Sequence, residues 1–309
     1  MSQKITEISQ EIMIKVEAGE ISQAKLTEYS QFLQEVEEKF LNHRIVVDNK
    51  YCKWFETEGP NKEQTKHFII QFSVFSHLFL IAQLKKMINS GSLESYRASK
   101  EILVNEVGVI FRKQSQPIGI SGSTSKASDE EKDLSGDPAL VSTEGTVDGG
   151  VFKFAAGHFE WLLRIGKDID LEFNDMGKRR HGTKSTLFFC DELERVYGND
   201  DPNIGEGASF AVENWAAAGF WKQLIRGLKK FKENPENNVP KLKLAFFTWH
   251  DKVEDQHAEH TQEELAEVFF EDGFNKEKFL HGGLEMLDGV ATFWDGLYED
   301  LHLTTTVLT

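Results

Sequence analysis

Residues 246–260, Phe-Phe-Thr-Trp-His-Asp-Lys-Val-Glu-Asp-Gln-His-Ala-Glu-His, hold the densest set of groups able to bind a metal. An α-helix turns about 100° per residue. With His250 at zero, Glu254 falls at about 40° and His257 at about −20°, so the three share an arc of roughly 60°. Asp251 and Asp255 fall on another face, and His260 lies at the edge. Two imidazoles and a carboxylate on one stripe suit iron, manganese or zinc by ligand type. Phe246, Phe247, Trp249 and Val253 flank the stripe. Burying such a trio without a partner is costly, and a metal offsets that cost. A solvated charged face is the alternative that the same spacing allows.

Upstream, Glu213 is a lone carboxylate among Phe210, Ala211, Val212, Trp215, Ala216 and Ala217. That is a poor setting for a surface residue. It reads either as a metal ligand or as a buried Glu paired with an Arg or Lys.

With these residues the sequence resembles the haem-oxygenase-like dinuclear iron oxidases and oxygenases. His250-x-x-x-Glu254-x-x-His257 is similar to the family's late motif, and Ala211-Val-Glu213-Asn-Trp-Ala216 to its middle one. The resemblance implies an early carboxylate, Glu106 in Leu103-Val-Asn-Glu106-Val-Gly108, and an early histidine, His158 in Ala155-Ala-Gly-His158-Phe-Glu-Trp-Leu. It covers roughly residues 65–271. Its implied ligand set is therefore Glu106, His158, Glu213, His250, Glu254 and His257. Two departures stand out. The family joins its early Glu and His by a short loop, whereas Glu106 and His158 are separated by the whole 113–150 stretch. Glu254 stands where Asp is common, which lengthens the arm by one methylene.

Other residues carry weaker readings. Glu160 is a rival carboxylate near His158, and Asp251 and His260 either orient ligands or face solvent. His77 is expected as a hydrogen-bonded core or pocket residue, and His181 as exposed. Phe72, Phe75 and Phe79 form a helical stripe read as core. The turn Lys178-Arg179-Arg180 reads as a carboxylate binder or a solvated loop. A ferritin-like di-iron protein is a second metal reading, because Glu254-x-x-His257 and Glu299-x-x-His302 are both Glu-x-x-His. That arrangement needs a lone Glu on a separate helix before each motif. Glu285, the candidate for the second, lies on the same expected helix as Glu299.

The elements that must position these groups are helical almost throughout. Helical periodicity covers residues 5–18 and 22–43, then about 60–89 with Pro60 in a first turn, and about 93–111. It resumes at 152–167 and 185–197. Three long helices follow, at about 207–231, 244–271 and from an Asn275 cap to 301. No stretch reads as a strand. Residues 113–150 are rich in Gly, Ser, Thr and Asp without an aromatic, and are expected as a long flexible internal loop or a lid. The fold class expected is all-α, a haem-oxygenase-like helical bundle. It forms a single domain over 1–309, with N-terminal helices at 1–45 and a core at 60–112 and 151–301.

The chain has 309 residues, 35 Lys and Arg against 51 Asp and Glu, and a net charge of −16. That balance argues against nucleic acid or an anionic membrane as partner. Residues 68–84 are nearly membrane length but carry Gln71, His77 and Gln83 and stop short of the ~20 residues of a span. A buried helix is expected. Two cysteines, Cys52 and Cys190, exclude a disulfide framework, and no apolar signal core opens the chain, so a reduced cytoplasmic protein is expected. The resemblance implies an O2-dependent oxidase or oxygenase with two ferrous ions. Its substrate would be a small amino-acid-like or fatty-acid-like metabolite, with an external electron donor and a homodimer among the expected partners. A metal-free helical binding module for an apolar ligand is the alternative from another class.

Overall fold

The computed structural model describes residues 8–110, 141–144 and 153–306, with side chains described throughout except at 109–110, 141–144, 153–155, 253–264 and 302–306. Most of the 113–150 segment and the side chains of Glu254, His257, His260 and His302 therefore lie outside the described residues.

The architecture is all-α. Four N-terminal helices come first: α1 (Gln10–Glu17), α2 (Gln23–Val36), α3 (Arg44–Val47) and α4 (Lys50–Thr57). They precede the central α5 (Lys62–Ile88) and its neighbour α6 (Leu93–Val107). After the internal segment come α7 (His158–Asp168), α8 (Lys184–Glu192), α9 (Pro202–Ala216), α10 (Phe220–Glu233), α11 (Ala245–Phe270) and α12 (Lys276–Thr306).

α5 starts where its capping chemistry dictates. Asn61 accepts from the Gln64 backbone N–H at 2.9 Å, and the Gln64 side chain returns the bond to the Asn61 N–H at 2.9 Å. Pro60 precedes this box rather than occupying the first turn. α5 is long and apolar enough to cross a membrane by length and composition, with a mean hydropathy of 1.5 in its best window. Here it packs against α6, α7, α8 and α12. Phe68 and Phe72 are buried on it, with Phe75 and Phe79 packed against the same core.

α9 packs closely along α12. A Cβ added at Gly207 would strike the backbone oxygen of Phe279, and one added at Gly282 would strike that of Ile204. The two glycines let the helix backbones approach to a distance that any larger residue forbids.

Three elements differ from the sequence reading. α6 ends at Val107, because Gly108 takes a left-handed φ of 79° that terminates the helix. The single helix expected over 207–231 is two, α9 and α10, broken at residues 217–219 with Gly219 at φ 91°. Local propensity alone supports continuity there, and the left-handed residue ends it. Finally, three short strands form where none was expected: β1 (Val109–Ile110), β2 (Val141–Glu144) and β3 (Lys153–Ala155), in the antiparallel order β1-β3-β2. Val109 pairs with Phe154 and Val141 with Ala155. β2 lies within the stretch expected as a loop, and β3 takes residues expected as the start of a helix. Backbone pairing satisfies their N–H and C=O groups, for β1 and β3 across more than forty residues, a gain that local composition does not show.

Candidate metal centre

The elements that carry the six expected ligands pack in sequence around one region. α6, with Glu106, packs on α7, with His158. α7 packs on α11, with His250, and α11 packs on α9, with Glu213.

Glu106 and His158 meet. Oε1 of Glu106 lies 2.9 Å from Nδ1 of His158, and the two side chains are 14 % and 9 % exposed. Two features produce the contact. Gly108 stops α6 just beyond Glu106, and β1 pairs with β3, which returns the chain beside it. α7 then begins at His158 with Gly157 as its N-cap. Its capping box is closed by Glu160, whose carboxylate accepts from the Gly157 N–H at 2.8 Å. Glu160, the rival carboxylate of the sequence reading, thus caps its own helix.

The imidazole of His158 lies 4.7 Å, centroid to centroid, from that of His250, the two rings at 66°. Nδ1 of His250 lies 2.6 Å from the carbonyl oxygen of Phe246. A carbonyl only accepts, so Nδ1 carries a proton, and in the neutral ring Nε2 carries the lone pair. The rings of Phe246, Trp221 and Trp249 lie 4.2, 4.8 and 5.1 Å from the His250 ring. Trp249 lies 4.9 Å from His158. The pair is therefore walled by aromatic rings from α10 and α11.

Glu213 is half-buried on α9. Its charge acts on Tyr197, a fully buried residue whose hydroxyl donates to Oε1 of Gln83 at 2.6 Å. Burial pushes the Tyr197 hydroxyl well above its usual pKa, and the carboxylates of Glu213, Glu206 and Glu106 push it the same way. One buried hydroxyl thus stands within the fields of two of the expected acidic ligands. Tyr197 was not singled out in the sequence. It stands one residue before a turn, and nothing in its local pattern points to Glu213.

Glu254 and His257 occupy the positions four and seven residues after His250 on the unbroken helix α11. Among the described residues no group of three or more His, Cys, Asp or Glu side chains is assembled tightly enough to hold an ion by itself. The residues present nevertheless fit a transition metal. Two ligand atoms in adjacent positions, each about 2.1 Å from an ion, lie about 3.0 Å apart, close to the Glu106–His158 separation. Imidazole and carboxylate are the donor types that iron takes.

The remaining candidates fall outside this cluster. His77 is half-buried with its ring 4.0 Å from that of Phe159, and its buried Nδ1 finds no partner among the described residues. The hydrogen bond expected of it is absent there. His181 is half-buried rather than exposed, its Nε2 2.6 Å from the Asn174 carbonyl. Lys178 lies over the Phe173 ring at 3.9 Å, Arg179 pairs with Asp191 at 2.7 Å, and Arg180 donates to the Asn174 carbonyl. The basic turn is thus bound largely to its own chain. Glu285 and Glu299 share α12, and Glu285 pairs with Arg195. Cys52 and Cys190 are buried free thiols.

Compared with protein-family models and with curated proteins, the chain matches no family model and no curated sequence.

Proposed function

We propose that the protein is a non-haem di-iron, O2-dependent oxidoreductase with a haem-oxygenase-like helical bundle. The observation that carries the reading is the meeting of Glu106 and His158 at 2.9 Å, with the His158 ring 4.7 Å from that of His250. Three chemistry-bearing side chains from three helices, spread over more than a hundred positions, converge inside an aromatic wall. An unrelated ion pair does not call for the second imidazole.

In this reading Glu106, His158, Glu213, His250, Glu254 and His257 hold two ferrous ions. Three carboxylates against four positive charges leave a net positive site. The bound iron supplies O2 activation. The chain's own residues do the rest. The Phe246 carbonyl fixes the His250 tautomer and presents its Nε2 as donor. The Gly157–Glu160 cap holds His158 at the first position of α7, facing Glu106. Phe246, Trp221 and Trp249 exclude water from the imidazole pair and form an apolar surface for substrate.

The resemblance implies desaturation, C–C cleavage or N-oxygenation of a small amino-acid-like or fatty-acid-like metabolite, with electrons from an external donor. Two unpaired thiols fit a cytoplasmic protein.

Ferrous-loaded protein screened against a metabolite panel tests this. O2 uptake and a transient visible absorption are expected only with substrate present. Both should vanish in Glu213→Ala. Normal turnover in that variant would contradict the assignment.

A further inference from the structure

All six tryptophans stand in one network of neighbouring rings that includes His250. A line through it runs inward from Trp54, half-buried on α4. The Trp54 ring lies 5.6 Å from that of Tyr51, Tyr51 lies 5.7 Å from Trp294, and Trp294 lies 5.5 Å from Phe220. Phe220 lies 4.5 Å from Trp221, which stacks on His250 at 4.8 Å and 23°. Trp215 stacks on Phe220 at 4.6 Å, Trp249 lies 5.1 Å from His250, and Trp161 lies 5.7 Å from Trp249. The packing of α4 on both α10 and α12 makes the line continuous. The other large ring network, around Phe32 and Phe279, holds no tryptophan among the described residues. Core packing accounts for the rings themselves. It does not account for every indole standing in the one network that reaches a candidate ligand.

An indole gives up an electron far more readily than a phenyl ring does. The two ends of the line differ in electrostatics. Trp221 and Trp294 are buried, where a cationic ring is costly. At the outer end the Trp54 N–H donates to the carboxylate of Glu58, an exposed residue, at 3.0 Å. A negative acceptor stabilises an oxidised, positively charged indole. An electron vacancy therefore runs downhill from the interior to Trp54, and an electron runs the opposite way.

We propose that Trp54, Trp294 and Trp221, bridged by the Tyr51 and Phe220 rings, form a relay that carries single electrons from a one-electron donor protein docked at α4 to the metal centre. The inference rests on the di-iron reading only for its inner destination. Each transfer balances. Trp221 loses one electron to the centre, the vacancy passes through Trp294 to Trp54, and the donor fills it. No bond forms or breaks, and the Trp54 N–H proton stays in its bond to Glu58.

A ruthenium polypyridyl photo-oxidant tethered at Thr57→Cys tests the relay in the full chain without iron. Thr57 is exposed one turn beyond Trp54, and both native thiols are buried, so the tether is selective. A cobalt(III) ammine takes the electron from the excited ruthenium, which then draws one from Trp54. Oxidised tryptophans are located by peptide mass spectrometry, counting only oxidation that requires the cobalt acceptor. Oxidation is expected at Trp54 and, more weakly, at Trp221. Trp54→Phe and Trp294→Phe should each abolish it at Trp221, with circular dichroism to show that each variant is folded. Trp54→Phe, at the half-buried end, keeps the test if Trp294→Phe does not fold. No oxidation at Trp221, or oxidation there that survives in a folded variant, overturns the relay. Ferrous iron bound by the same protein is counted separately under anaerobic conditions. Bound iron without the relay signal overturns the relay and leaves the di-iron reading intact. The relay signal without bound iron sustains conduction to Trp221 and overturns that reading. Neither signal nor iron overturns both.

Discussion

Gly157 faces the backbone of Glu106: a Cβ added at Gly157 would lie 2.6 Å from the Glu106 carbonyl oxygen. This close approach brings the first turn of α7 against the last turn of α6, and so brings His158 to the Glu106 carboxylate. Gly157→Ala should push the helices apart and cost about 1–3 kcal/mol by overpacking. Gly157→Ser separates the causes, because serine is by type a good N-cap. If the close approach dominates, both variants lower the melting temperature. A Gly157→Ser protein as stable as the parent would show that capping outweighs it.

Glu160 is a cap and not a ligand on this account. Glu160→Ala should cost about 1 kcal/mol through the lost capping bond. It should leave iron stoichiometry unchanged. A loss of bound iron from the folded variant would return Glu160 to the ligand set.

Lys86 is buried on α5 and pairs with Glu206 on α9 at 2.9 Å, and Ser95 donates to the other carboxylate oxygen at 2.8 Å. Lys86→Met leaves that carboxylate without its counter-charge. The expected cost is about 3 kcal/mol, the low end for a buried pair because Glu206 remains 26 % exposed. Lys86→Met combined with Glu206→Leu should be milder than Lys86→Met alone. Urea denaturation midpoints check the order, and a double variant worse than the single one would refute it.

His77 and His43 titrate below the usual histidine range, each chiefly because burial disfavours the charged ring. The Lys178 charge adds to the effect at His77, and Asp288 opposes it at His43. Below pH about 6.5 the unfolded chain takes up protons that the folded chain resists, so stability is retained above that pH and lost as pH falls. The melting temperature should drop between pH 7 and pH 5, and His77→Phe should flatten the drop. Equal slopes in the two proteins would remove His77 from the explanation.

The long elements were readable because their signals are local. α5 and α11 follow from apolar spacing and end chemistry, and Asn275 caps α12 as its type predicts, accepting from the Lys278 N–H at 3.0 Å. The break between α9 and α10 was not readable, since residues 217–219 interrupt an otherwise helical pattern for only one turn. Missing it hid Trp221. On one continuous helix Trp221 lies two turns beyond Glu213, whereas the break lets α10 lay it on His250. The strands were hidden because each is short and because β3, the central one, pairs with β1 more than forty residues before it. The Glu106–His158 contact depends on that same return, so spacing alone could name the two residues but not bring them together.

The central claim is tested most directly by counting iron bound under anaerobic ferrous titration, with circular dichroism to show that each variant is folded. Two irons per chain are predicted for the unsubstituted protein, and one or none for His158→Ala and for Glu213→Ala. No stoichiometric iron in the unsubstituted protein, or two irons kept by both folded variants, would contradict the account.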